Sequence, residues 1–224
     1  MQDSRLTLIK TGDFIDITTS KAKQFYTYFV DLKKIIHPTV LFHWQETMDI
    51  SEEYDWSKLF TFKFGKLFNN RVRQYNFKLF HRILPFKENL VRWKITIDMT
   101  CNHCKDIETI MHVLLHCPQV NLFWQKLSYF IGSQLNENIE IDEKVLLLGY
   151  DIENKDLTLL NVILIFAQFT IYRLYILCQF TSKQFNCVSL LAEFKRDLFV
   201  NLKFLEKSNK IQVKEEEYNE MKKL

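Results

Sequence analysis

Cys101-Asn102-His103-Cys104-Lys105-Asp106-Ile107-Glu108-Thr109-Ile110-Met111-His112-Val113-Leu114-Leu115-His116-Cys117-Pro118 is the stretch that organises this chain. Its chemistry-bearing residues fall in the pattern C-x2-C-x7-H-x4-C. A Cys-x-x-Cys pair offers two thiolates on one tight turn, which suits two corners of a tetrahedron. His112 and Cys117 close the other two from a short helix and its end. Four protein donors leave no open coordination position, so the pattern predicts a structural zinc site rather than a catalytic one. In small zinc modules metal binding supplies about 10–16 kcal/mol of folding free energy. In a chain with its own core, loss of metal is expected to loosen the module locally.

Other readings of the same residues are weaker. A lone CxxC is also a redox pair, but that reading expects a thioredoxin-like βαβ setting, which the flanking sequence lacks. Cysteines are also common as plain core residues, and Cys178 and Cys187 are read that way. His103 and His116 are the rival histidine ligands. His103 lies between the two thiolates, so its ring should point away from the metal. His116 neighbours Cys117 and would make an awkward chelate, so His112 is preferred.

Outward from this stretch, the chain reads as helical. Among 224 residues there are only four Gly and three Pro, too few for the many tight turns of an all-β fold. Twenty Phe imply an aromatic-rich core or a sizeable contact face. The expected class is mainly α: an irregular helical bundle with a small CCHC module and one short N-terminal hairpin. Four parts are expected. These are a lead-in hairpin and helix over 1–55, a basic helix with the zinc module over 56–130, a helical part over 131–207, and a flexible tail over 208–224.

Leu6, Leu8, a turn at Thr11-Gly12-Asp13, then Phe14, Ile15 and Ile17 suggest the hairpin. Thr18, Thr19 and Ser20 are cap candidates for a helix over about 21–36. Trp44 is placed in a loop or short helix. Asp55 or Ser57 caps the helix carrying Leu59, Phe60 and Phe64, and Gly65 breaks it. From Asn69 to about Leu84 a strong helix is expected, with Val72, Tyr75, Leu79 and Ile83 on one face and Pro85 as its stop. A short helix over about 86–93 follows. Pro118 suits the first turn of a helix whose apolar face holds Phe123, Trp124, Leu127 and Phe130. Residues 131–142 read as a polar loop, Val145 to Leu148 as an apolar run before Gly149, and two helices follow over about 156–180 and 184–206. The run from Leu157 to Tyr172 contains Asn161 and Gln168 and is shorter than the roughly 20 residues a bilayer requires. It is read as a buried helix, with no membrane partner.

Charge is uneven. The chain has a formal net charge of +3. Residues 61–100 carry nine cations against Glu88 and Asp98, so that stretch is +7 and the remainder −4. Met1 is followed by Gln, Asp, Ser and Arg, with no apolar signal segment. Together with an odd cysteine count of five, this favours a reducing, intracellular setting over disulfide stapling.

One order of residues carries a family resemblance. Arg71-Val72-Arg73-Gln74-Tyr75-Asn76-Phe77-Lys78-Leu79-Phe80-His81-Arg82-Ile83-Leu84-Pro85 precedes Leu90-Val91-Arg92-Trp93. The Cys/His cluster, Glu108 to His112, Cys117-Pro118 and Phe123-Trp124 follow. This resembles the zinc-binding domain near the C-terminus of LINE-type (non-LTR) retrotransposon reverse transcriptases. The close likeness covers about residues 56–127, with looser flanks at 21–44 and at the helix from Leu160 to Arg173. The resemblance implies that Cys101, Cys104, His112 and Cys117 are zinc ligands. It also implies nucleic-acid binding in support of reverse transcription, a reverse transcriptase core as partner, and a nuclear location. A polymerase palm needs clustered carboxylates for two metal ions, yet no Asp-Asp pair occurs, and nothing resembles an endonuclease. No catalysis is therefore expected.

Three functions compete. In the first, Arg71, Arg73, Lys78, Arg82, Arg92 and Lys94 hold the phosphates of RNA or DNA, with Trp93 or Tyr75 stacking on bases. The bland counterpart is a solvated cationic helix face with both rings in the core. Phe77 and Leu79 are read as core. In the second, the module is a structural or protein-docking domain, or a retroelement relic without nucleic-acid binding. In the third it is a hydrolase built on His81, Asp98 or the metal cluster. The sequence lacks a serine nucleophile context, a phosphate loop and an H-E-x-x-H pattern, so this reading is set aside.

Overall fold

The computed structural model describes residues 7–10, 13–16, 39–135, 138–152, 154, 157–181, 183 and 185–207. The helix expected over 21–36, its cap candidates Thr18, Thr19 and Ser20, and the tail 208–224 lie outside the described residues. The chain divides into two compact units, Met1–Glu52 and Glu53–Leu224.

In the first unit, β1 (Thr7–Lys10) pairs antiparallel with β2 (Asp13–Asp16), Leu8 facing Ile15. Helix α1 (Thr39–Met48) carries Trp44. Asp49 ends it in the left-handed region at φ 48°, where the Ile50 N–H reaches back to the Gln45 carbonyl at 2.9 Å.

The second unit is a helical bundle around one apolar helix. Its elements are α2 (Trp56–Lys63), α3 (Asn70–Phe80), α4 (Lys87–Arg92), a π-helical turn (His112–His116), α5 (Pro118–Leu135), α6 (Glu143–Leu148), α7 (Thr158–Phe180) and α8 (Cys187–Lys207). Helix α7 packs against α3, α6, α8 and the π turn. It is long and apolar enough to cross a membrane, yet 72% of its most apolar window is buried by the rest of the protein. Its polar residues are used internally. The Asn161 carboxamide oxygen accepts from the Tyr150 N–H at 2.8 Å, and Gln168 Nε2 donates to the Leu146 carbonyl at 2.9 Å.

Local chemistry sets the helix ends. Asp55 caps α2 by accepting from the Ser57 N–H at 3.0 Å. Asn69 caps α3 through the N–H groups of Arg71 and Val72 at 3.0 and 3.1 Å. Asp142 caps α6 through Val145 at 2.6 Å. Each satisfies donors that have no partner inside the helix. After α2 the chain turns at Gly65, where a side chain would bring Cβ within 2.5 Å of the Thr61 carbonyl oxygen.

Helix α3 is shorter than its periodicity suggests. It stops at Phe80, before Pro85 is reached, because Arg82 adopts φ 52° and the Ile83 N–H bonds to the Lys78 carbonyl at 2.9 Å. This is a Schellman closure. Val72, Tyr75 and Leu79 are buried as expected, but Ile83 lies past the helix and is exposed. Phe77 is also exposed rather than core. Residues 131–135, expected in a loop, continue α5.

Among the described residues, Phe68, Phe80, Phe86, Phe123, Phe166, Phe185 and Phe194 are buried in the core, while Phe42, Phe77, Phe180 and Phe204 are exposed. Phe60 and Trp56 meet Phe80 edge-on at 5.3 and 6.5 Å. Phe68 meets Phe166 at 5.8 Å, and Phe123 meets Phe194 at 5.6 Å. Such pairs add about 0.5–1.5 kcal/mol each beyond the area they bury. Within this core lies a charge-capable group. Lys63 is buried, donates to the Leu147 carbonyl at the end of α6, and sits 5.4 Å from the Phe80 ring.

Candidate metal centre and basic helix

The Cys-x-x-Cys half is a small knuckle. The Cys101 N–H donates to the Asp106 carbonyl at 2.7 Å and the Lys105 N–H to the Cys101 carbonyl at 3.0 Å. Thr100 and Ile107 bridge across its base. Lys105 takes φ 70° to close the turn. The His103 N–H points at Cys101 Sγ, 3.5 Å away. The turn thus aims both sulfurs inward and turns the His103 ring outward, onto Phe185 at 4.7 Å and Tyr175 at 5.9 Å.

The other half depends on the π turn. His112 and Cys117 are five residues apart, and an α-helix would set them about 140° apart around its axis. The wider winding returns Cys117 to the side of His112, and the Cys117 N–H donates to the His112 carbonyl at 2.7 Å. Single π turns recur at functional sites. Thr109 Oγ1 accepts from the His112 N–H at 3.0 Å, and Trp124 Nε1 donates to the Leu114 carbonyl at 2.7 Å. Pro118 then opens α5, as expected.

These two halves bring Cys101, Cys104, His112 and Cys117 together, with one ligand atom from each lying within 4.8 Å of the others. Cys104 Sγ and His112 Nε2 are 3.2 Å apart. Ligands around tetrahedral zinc stand about 3.5–3.8 Å from one another at ordinary bond lengths. The donor set, three sulfurs and one imidazole nitrogen, therefore fits zinc. Cys101, His112 and Cys117 are buried and Cys104 is partly so. A hydrogen bond from Cys117 pulls the Cys101 thiol down to about 4, and backbone N–H groups assist. The same contact pushes Cys117 up, and burial raises Cys104. A bound divalent ion would hold all three as thiolates.

Residues behind the knuckle lock it to the bundle. Glu108 is buried, accepts from the Lys87 N–H at 2.9 Å, and accepts from the Tyr175 hydroxyl of α7. Burial pushes its carboxyl up, while the Tyr175 hydrogen bond opposes that. Lys87 Nζ donates to Asp98 at 2.6 Å and Asn102 at 2.8 Å, and also to the Thr100 carbonyl. His116 pairs with Glu143 at 2.6 Å, away from the metal cluster. Cys187 is buried and Cys178 partly exposed.

Residues 40–124 match the family model described as zinc-binding in reverse transcriptase. That stretch contains all four clustered residues, α3 and α4. No curated protein and no solved structure matches the chain.

The basic candidates lie on α3, on α4 and in the turns that close them. Arg71, Arg92 and Lys94 are exposed, and Arg73, Lys78 and Arg82 partly so. Arg73 donates to Asn70. Arg82 pairs with Glu88 at 3.1 Å. Arg92 donates to the Arg82 carbonyl at 3.2 Å, with its guanidinium 6.0 Å from the Trp93 ring. Tyr75 is buried and offers no ring to a base, whereas Trp93 is exposed. The π turn, the Lys87 and Glu108 ties and the exposed Phe77 ring have no signature in composition or periodicity. Only the x4 spacing between His112 and Cys117, one residue too long for an α turn, points to the first.

Proposed function

We propose that the second unit is a zinc-braced, non-catalytic module of a LINE-type reverse transcriptase lineage that holds RNA or DNA beside a polymerase core, in the nucleus. The observation that carries this reading is the placement of the cations. Arg71, Arg73, Lys78, Arg92 and Lys94 all lie at solvent-accessible positions on α3, on α4 or just past its end, inside the stretch that matches the reverse-transcriptase zinc model. Zinc held by Cys101, Cys104, His112 and Cys117 would fix the knuckle against α5 and α7 and so set the angle of those helices. Four protein donors leave the ion no position for substrate.

Binding of the zinc-loaded protein to a structured RNA and to a primer–template duplex, followed across a salt series, tests the reading. Each phosphate contact adds about −0.9 to the log–log slope on a duplex, so several contacts give a slope of several units. Absence of binding at low salt would refute it.

A second reading, a protein-docking domain, draws on a different observation. Ile95, Ile97, Met99 and Ile107 are exposed around the knuckle, Ile97 almost completely at 98%. Contiguous exposed apolar surface marks an interaction site.

A further inference from the structure

The proposed nucleic-acid surface carries rings as well as cations. Phe77 is 46% exposed on α3. Its ring lies 4.1 Å from that of His81, one turn later, with 37° between the planes. Trp93, at the end of α4, is 42% exposed and has the Arg92 guanidinium beside it at 6.0 Å. The segments that carry the two features are tied to each other. His81 precedes Arg82, and the Arg82 carbonyl accepts from Arg92 at 3.2 Å.

Cations are interleaved with these rings. Arg73 stands one helical turn before Phe77 and Lys78 directly after it, while Arg92 and Lys94 bracket Trp93. The nearby carboxylate of Glu88 is engaged by Arg82 at 3.1 Å and by the Ile110 N–H at 3.1 Å. Its charge is thereby compensated on the surface. Aromatic faces alternating with cations suit a strand whose bases are unpaired, because each base offers a π-face and each phosphate a charge. In a duplex those faces are stacked inside and only phosphates are offered.

We infer that this surface takes single-stranded RNA or DNA, with bases stacking on the Phe77–His81 pair and on Trp93. The inference rests on the nucleic-acid reading above and narrows it to unpaired strands.

The test compares a labelled oligo(dT) or oligo(U) with a duplex of equal length, using full-length, zinc-loaded protein at one fixed salt concentration. The variants are Phe77→Ala, Trp93→Ala, and the ring-preserving Phe77→Tyr and Trp93→Phe. Zinc content and helicity of each variant are measured alongside to establish that it is folded. Stacking contributes about 1–3 kcal/mol per base, so each alanine should weaken single-strand binding roughly tenfold. Duplex binding and the salt slope should stay unchanged, and the ring-preserving variants should restore affinity. Equal affinity for single strand and duplex, untouched by the alanines, would overturn the inference while leaving phosphate binding intact. A parallel loss on both substrates would overturn it as well. No binding to either would overturn the nucleic-acid reading itself.

Discussion

Replacing Lys63 by Met should change the sign of its effect on stability with pH. Burial without a carboxylate partner pushes the Lys63 ammonium from 10.5 down to about 7. Below the folded value both states hold the proton. Between about 7 and 10.5 the unfolded chain holds it and the folded chain does not, so stability rises with pH across that window. At about 1.4 kcal/mol per unit, the burden Lys63 places on the fold is about 4 kcal/mol at pH 7 and about 1 kcal/mol at pH 10. Met removes that burden but orphans the Leu147 carbonyl, at about 2 kcal/mol. The Leu146 carbonyl keeps its bond from Gln168. The variant should therefore be about 2 kcal/mol more stable than the parent at pH 7 and about 1 kcal/mol less stable at pH 10. Urea unfolding of both proteins at the two pH values measures this, and taking the difference cancels the other titrating groups. A difference that does not move with pH would refute the reasoning.

Two further substitutions probe the frame of the site. Lys94 sits at φ 60°, a conformation that costs an L-residue about 1–2 kcal/mol. Lys94→Gly should stabilise the protein by about 0.5–1 kcal/mol in urea unfolding, after the entropy that glycine adds to the unfolded chain. Glu108→Gln keeps an acceptor for Lys87 but removes the carboxylate oxygen that accepts the Tyr175 hydroxyl proton, and should cost about 1–3 kcal/mol. Hydrogen exchange should quicken through residues 99–112, and unchanged protection there would remove Glu108 from its proposed place.

The parts of the fold that are legible in the sequence are those set by local chemistry. Asp55 and Asn69 mark helix starts with side chains that accept from orphan backbone N–H groups, and Pro118 marks one because it has no N–H to leave orphaned. The apolar run of α7 reads as a buried helix because nearly every turn of it is hydrophobic. Helix ends are harder. With four glycines in the chain, α1, α3 and α4 close through Asp49, Arg82 and Lys94 in the left-handed region. Neither Arg nor Lys advertises it by residue type, so periodicity carries Ile83 onto a helix face that the chain has already left. The four clustered residues stand out by spacing alone, but their convergence requires the π turn, which tertiary contacts such as Trp124 to Leu114 support. Phe77 is exposed against expectation for a related reason: a large apolar residue on an amphipathic helix defaults to the core, and its neighbour His81 gives no periodic signal of the ring pair.

Metal content and cobalt spectroscopy test the central claim most directly. The purified protein should carry one zinc per chain. Replacement by Co²⁺ should give the intense visible bands of a tetrahedral site with three thiolates, and Cys104→Ser should lose metal and loosen residues 100–120. Protein that retains no metal, or that keeps its zinc and its spectrum unchanged after Cys104→Ser, would contradict the account.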